Sequence, residues 1–338
     1  MRLSYILALL SVSVSLAADL QIYAIDVEGG KATLFVSPTG ESMLVDTGYD
    51  GYHDRDAGRI LAAAHDAGIH QIDYLVITHY HKDHAGGVRQ LAAKIPIRNF
   101  FDHGPNFESV KDNGEVYNSY VAVRSKGKHF TVKAGDAIPI HGFQAIVVTA
   151  AGKAIDKPLP GAGQPNPLCA SYQPIAPDTG ENAHSIGLWI TYGEFRAADL
   201  GDLYWNQEHD LACPQNLLGK AGLYLTTHHG KKTSSSPQIV WSMAPKVAVM
   251  NNGPSTGASV QAWQTIHDSP GLADLWQLHY AFGNDAAHNA AADLIANTDE
   301  NCQGKWIKIT ARQDGSFTVV NGRNHFQKTY AAASGSRE

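Results

Sequence analysis

The chain has 338 residues, 43% of them hydrophobic, enough for one large domain or two smaller ones with a substantial core; a chain disordered throughout is excluded. A formal net charge of −6 gives no global attraction to nucleic acid, although a local basic patch such as Lys231 and Lys232 can still meet a phosphate.

Taken in chain order, residues 1–18 join a basic start at Arg2 to an apolar run ending at Leu16 and small residues at Ala17 and Ala18. This is the grammar of a cleavable signal peptide, against the alternatives of a buried first strand or a membrane anchor. No later stretch offers about 20 consecutive apolar residues, so a soluble protein, secreted or periplasmic and without a membrane span after processing, is expected. Residues 20–51 read as three short strands joined by turns at Gly29–Gly30 and Pro38–Gly40. Residues 56–68 have apolar positions at helical spacing and a closing Gly68. The run "IDYLVIT" is apolar on both faces, as in a buried strand, and "GGVRQLAAKI" begins a helix.

Residues 129–150 read as short strands, and 152–182, rich in Gly and Pro, as a long loop of the kind often tied to function. Strands resume in "SIGLWITYGEFRAADLGD", "AGLYLTTHHG" and "PKVAVMNNG", a helix is expected over 258–268, and Asp314-Gly315 joins a terminal hairpin. No repeat or linker divides the chain. The expectation is a signal peptide followed by a single domain, 19–338, whose C-terminal extension begins at about 254 and carries His267, His279 and His288 as structural or surface residues. In an oxidising compartment Cys169, Cys213 and Cys302 permit one bridge and one leftover thiol, with Cys169 to Cys213 the favoured pairing and three free thiols the alternative.

The chemistry concentrates in "THYHKDH". His79 and His81, two residues apart on an extended loop, point to one side, while Asp83 and His84 stand where the chain turns into a helix. Two pairs of ligands for two adjacent divalent ions result, suited first to zinc, with manganese or iron as substitutes. Asp202, after another strand, has a carboxylate able to bridge two ions, or simply caps the next segment. His228 and His229 again end an apolar run.

"HYHKDH" matches the H-x-H-x-D-H signature of the metallo-β-lactamase superfamily, and "LVDTG" before it and "LGD" and "HHG" after it follow the same order. The opening "IDVEGGKATLFVSPTGESMLVDTG" resembles the extracellular domain of the DNA-uptake protein ComEC and related secreted phosphodiesterases. The resemblance covers about residues 20–253 and implies an α/β fold, an αββα four-layer sandwich with the metals at one edge. It assigns His79 and His81 to a first ion, Asp83 and His84 to a second, and Asp202 to a bridge. His229 becomes a second-site ligand beside a substrate-contacting His228, with these two roles exchangeable, and Asp46 orients a ligand by hydrogen bond. Many members place a histidine before the bridging aspartate, where this chain offers His184; ComEC-like sequences tend to lack one there, so His184 stands either as the third ligand of the first ion or as a loop histidine.

The function expected is a metal-dependent hydrolase in which two ions lower the pKa of a shared water toward ~7. Asp83 is a candidate to orient that water or take its proton, and His228, Lys231 or Tyr224 to serve the leaving group. Lys231 and Lys232 also fit an ordinary solvated turn. A phosphoester is the leading small-molecule substrate. The rival is a lactonase or β-lactamase acting on cyclic esters or amides, and a third reading is a metal-binding protein without catalysis. A basic groove favours the first, a small apolar pocket the second.

Overall fold

The computed structural model describes residues 19–108 and 110–332; the expected leader at 1–18 lies outside the described residues. Six strands open the chain: β1 (Leu20–Ala24), β2 (Thr33–Val36), β3 (Ser42–Val45), β4 (Ile72–Val76), β5 (Ile97–Asp102) and β6 (Lys128–Thr131). The next nine build a second sheet: β7 (Ala137–Ile138), β8 (Gln144–Ala150), β9 (Lys153–Ala154), β10 (Gly187–Tyr192), β11 (Phe195–Asp199), β12 (Leu223–Leu225), β13 (Val247–Met250), β14 (Asp274–His279) and β15 (Ile295–Asn297). The last three, β16 (Ile307–Ala311), β17 (Phe317–Asn321) and β18 (Gln327–Tyr330), return to the first sheet, whose order is β18-β17-β16-β1-β2-β3-β4-β5-β6.

The two sheets pack face to face through apolar side chains such as Phe35 and Val76 on one and Leu188, Leu225 and Trp276 on the other. The outer face of the first sheet is covered by α1 (Arg55–Asp66), α3 (Val88–Ala92) and α4 (Val110–Arg124), with a one-turn α2 (Lys82–Ala85) between β4 and α3. The outer face of the second is covered by α5 (Trp205–Ala212), α6 (Pro237–Met243) and α7 (Val260–His267). This is the four-layer αββα sandwich. Because helices cover both sheets, the central strands are buried on both faces: β12 and β13 read as unbroken apolar runs, and β2 and β3 are buried along their whole length.

Strands β14 to β18, all beyond residue 254, belong to the sandwich itself. β14 pairs in parallel with β13, and β16 pairs antiparallel with β1, Ile309 opposite Ile22. Cys169 is bonded to Cys213, tying the long loop to the end of α5, and Cys302 is free.

What positions the site is strand direction. β3 runs parallel to β4, and β11 parallel to β12. Their C-terminal ends open at one edge of the sandwich, so the loops after β3, β4, β11 and β12 meet there. Close approach is needed to bring them together: a Cβ on Gly87 would fall 2.2 Å from the Thr47 carbonyl oxygen, so "AGG" lets the loop after β3 lie on the start of α3.

A buried ion pair locks the sheets at this edge. Lys31, in the loop between β1 and β2, donates to Asp199 at the end of β11, and both side chains are 1% exposed. Removing one partner leaves an unpaired buried charge, whereas replacing both restores an apolar contact. Lys31→Met should lower the unfolding free energy by about 3–5 kcal/mol, and Lys31→Met with Asp199→Leu should recover much of that loss. Denaturant unfolding of the two variants checks this; equal losses would contradict it.

Candidate functional site

Each cluster member stands just past a strand. Asp46 follows β3, His79 to His84 follow β4, Asp202 follows β11, and His228 and His229 follow β12. Asp46 (φ 63°), His228 (φ 51°) and His229 (φ 55°) all occupy the left-handed region, which is uncommon away from glycine and turns each chain sharply at the strand end.

Four groups converge. One ligand atom from each of Asp83, His84, Asp202 and His229 lies within 4.8 Å of the other three. His84 Nε2 is 3.3 Å from His229 Nε2 and 3.2 Å from Asp202 Oδ2, and His229 Nε2 is 3.3 Å from Asp202 Oδ2 and 3.5 Å from Asp83 Oδ2. Asp46 fixes the orientation of His84. Its Oδ2 accepts from His84 Nδ1 at 2.7 Å and from the Thr78 hydroxyl at 2.8 Å, while its Oδ1 accepts from the Thr78 backbone N–H. With the Nδ1 proton committed to Asp46, His84 Nε2 presents a lone pair to three other ligand atoms unless the ring takes a second proton. Asp202 Oδ1, moreover, is buried without a hydrogen-bond partner. Two imidazoles and two carboxylates around such a point are the donor set of a divalent transition metal, and the residues fit one.

His79 and His81 stand beside this set. His79 Nε2 faces His81 Nδ1 at 3.0 Å, and the His79 and His84 rings are 4.0 Å apart between centroids. His184 is not brought to them. Its Nδ1 donates to the Gly180 carbonyl at 2.7 Å, its other edge faces Gly152, and its ring stacks on Phe107. With Nδ1 committed to the Gly180 carbonyl and the ring stacked on Phe107, the geometry corresponds to the loop-histidine reading of His184. Ser185 takes the place next to His79, its hydroxyl 3.3 Å from His79 Nδ1 and accepting from the Asp202 backbone N–H at 3.2 Å.

The two adjacent histidines are separated by geometry: His229 enters the four-group set and His228 lines the cleft. Ser234 donates its hydroxyl proton to the Leu203 carbonyl, so at 3.0 Å it accepts from His228 Nδ1. His228 Nε2 is then an acceptor, 3.5 Å from Asp202 Oδ2. Burial, opposed in part by Asp202, pushes His228 down to about 3, so the ring is neutral at physiological pH. Tyr204 stacks on it.

Several positioning residues carried no signal in the sequence. Glu181, in the long loop, accepts from the backbone N–H of Tyr80 and Phe107 and pairs with His103. It thereby anchors the His79–His81 segment. Glu108 meets His81 Nε2 at 3.1 Å. Acidic residues in a Gly- and Pro-rich stretch have no periodicity or spacing to distinguish them. The cleft over the site, about 720 Å³, is lined by His81, Asp83, Asp202 and His228, by Tyr49 and Tyr204, and by Lys82, Lys231 and Lys232.

The four-layer sandwich with its histidine and carboxylate donors gathered at one edge has the architecture of the metallo-β-lactamase fold. Residues 25–163 match the family model described as Metallo-beta-lactamase superfamily. Over 190 residues the chain is 25% identical to ComE operon protein 3 of Bacillus subtilis, covering 55% of this chain and 20% of that protein. It is 26% identical over 238 residues to Recombination protein 2 of Haemophilus influenzae, covering 69% and 24%. These relatives are ComEC-like, and the chain spans about a fifth to a quarter of their length. Among solved structures, Igni18, a metallo hydrolase from Ignicoccus hospitalis, aligns at 13% identity and a TM-score of 0.45 over 86% of this chain and 100% of that one. No helix among the described residues is long and apolar enough to cross a membrane.

The electrostatics give a pH test. Burial opposes charge on His84 and His229, but Asp202, with Asp46 and Asp83 for His84 and Asp83 for His229, outweighs it and raises both above their ordinary 6.5. Without metal, imidazolium–carboxylate pairing therefore contributes stability that is fully present below pH 6.5 and lost as pH rises through the raised values. A divalent ion replaces those protons. The thermal midpoint gained on adding metal to the chelator-stripped protein should increase from about pH 6 to about pH 9; a gain that shrinks across this range would contradict the site.

Proposed function

We propose that the chain is an exported dinuclear hydrolase of phosphoesters, with zinc as the ion its donors suit best. The observation that carries the substrate class is the cleft wall: Lys82, Lys231 and Lys232 line the same cavity as Asp83, Asp202 and His228. Three lysines on the wall of one cleft, Lys82 and Lys232 exposed and Lys231 half-buried, make its mouth basic, and the attraction of that charge favours an anionic substrate over a neutral lactone or lactam. Asp83, His84, Asp202 and His229 would hold one ion, and His79 with His81 the other, next to Asp202. Ions bound there supply a Lewis acid and a water of lowered pKa.

The chain's own groups do the rest. Asp83, 14% exposed at the cleft, orients the attacking water and accepts its proton. Tyr204 and Lys231 border the leaving-group side. His228, neutral with Nε2 as an acceptor, takes a hydrogen bond from the substrate or its water and holds it in line. The buried Lys31–Asp199 pair and Glu181 keep these loops fixed, so little rearrangement is required at the moment of reaction.

Residues 19–338 are read as one catalytic unit, since strands from beyond 254 belong to both sheets. The Cys169–Cys213 bond supports export, because such bonds persist mainly in oxidising compartments. Hydrolysis of bis-p-nitrophenyl phosphate, a chromogenic lactone and nitrocefin by the metal-loaded protein tests the reading. Phosphodiester cleavage should dominate, disappear on chelation, and lose about tenfold in kcat/KM in Lys231→Ala, as expected for one charged hydrogen bond. Cleavage of only the lactone or nitrocefin would overturn the substrate class.

A further inference from the structure

Away from the hydrolytic cleft, one cluster brings together a carboxylate, an imidazole and a thiol, the three donor types that the borderline ion zinc accepts. Asp26 follows β1 in the first sheet, His279 ends β14 in the second, and Cys302 lies in the connection to β16. One ligand atom from each lies within 4.8 Å of the other two. Asp26 and His279 are fully buried, and Cys302 is half-buried.

The individual atoms point the same way. His279 Nδ1 lies 3.2 Å from the Tyr280 carbonyl, which accepts its proton. The ring's Nε2 is then a lone pair, and it is buried with no hydrogen-bond partner. An acceptor left unsatisfied in this way costs about 1–3 kcal/mol, so it calls for a cation or donor that the chain does not provide. Asp26 Oδ1 accepts from the Glu28 backbone N–H, and its Oδ2 accepts from Cys302 Sγ, 3.2 Å away. Arg59 donates to that oxygen at 3.1 Å and lies 3.4 Å from the sulfur.

Charge leaves room for a divalent ion. Asp26, Glu28 and Asp56 face Arg55 and Arg59, an excess of one negative charge. A Cys302 thiolate makes it two, and a divalent cation brings it to zero.

We propose that Asp26, His279 and Cys302 form a second metal site, separate from the hydrolytic centre, which takes a divalent transition-metal ion with zinc favoured and solvent completing its coordination past the half-buried cysteine. The ion staples the two sheets together at the edge where the cleft opens. It also fixes the loop that begins at Asp26, whose Gly30 packs so closely on Asp83 that a Cβ there would fall 2.5 Å from the Asp83 carbonyl oxygen.

Cobalt substitution separates this site from the hydrolytic one, because among the described residues only Cys302 has a free thiol. Chelator-stripped protein titrated with cobalt(II) should develop a thiolate-to-metal charge-transfer band in the near ultraviolet, with the amplitude of one cysteine–cobalt bond per chain once this site and the two hydrolytic positions are filled. The band should persist in Asp202→Ala, which removes a hydrolytic-site donor. It should vanish in Cys302→Ser and need at least tenfold more cobalt in His279→Gln. Wild-type protein saturated with cobalt but lacking the band overturns the proposal, as does a band unchanged in Cys302→Ser. The wild-type spectrum decides even if a variant fails to fold.

Discussion

Four ligand groups held in a buried space too small to leave them uncompensated are the constraint on which the rest of this structure depends. Asp83, His84, Asp202 and His229 repel one another unless a cation or protons stand between them. Bringing them together costs folding free energy, which the sandwich offsets elsewhere through its apolar sheet-to-sheet core and the helical layers outside it. The protons that the neighbouring carboxylates favour on His84 and His229 in the metal-free state, and the ion in the loaded state, are alternative solutions to the same electrostatic problem.

The supporting contacts all act on orientation. Asp46 and Thr78 set the His84 tautomer, Ser234 sets that of His228, and Glu181 holds the backbone of the first motif from a loop a hundred residues further on. Lys31 reaches across from one sheet to Asp199 of the other, and its own backbone N–H donates to the Asp83 carbonyl. The left-handed conformations at Asp46, His228 and His229 serve the same end, because they turn side chains inward at points where a strand would otherwise carry them past the site.

Legibility in the sequence followed locality. His79, His81, Asp83 and His84 share six residues after a both-faces-apolar strand, so spacing alone exposed them, and the short strands and the Asp314-Gly315 hairpin carried period-2 patterns. α4 was not legible: Gly114 and several polar residues interrupt its apolar spacing, and its helical state rests on packing of Tyr120 and Val123 against the first sheet. His184 sat at the right distance before Asp202 yet turns away, because a residue's distance along the chain fixes neither the rotamer nor the partner that competes for it. Glu181, Ser185 and the Lys31–Asp199 pair depend on contacts between distant segments, which no local pattern encodes. His279 likewise gained meaning only when β14 brought it beside Asp26 and Cys302.

The most direct measurement is anomalous diffraction at the zinc edge from crystals of the zinc-loaded protein. The account predicts one peak enclosed by Asp83, His84, Asp202 and His229 and a neighbouring peak at His79 and His81. Crystals grown with excess zinc that show no anomalous density among Asp83, His84, Asp202 and His229 would contradict it.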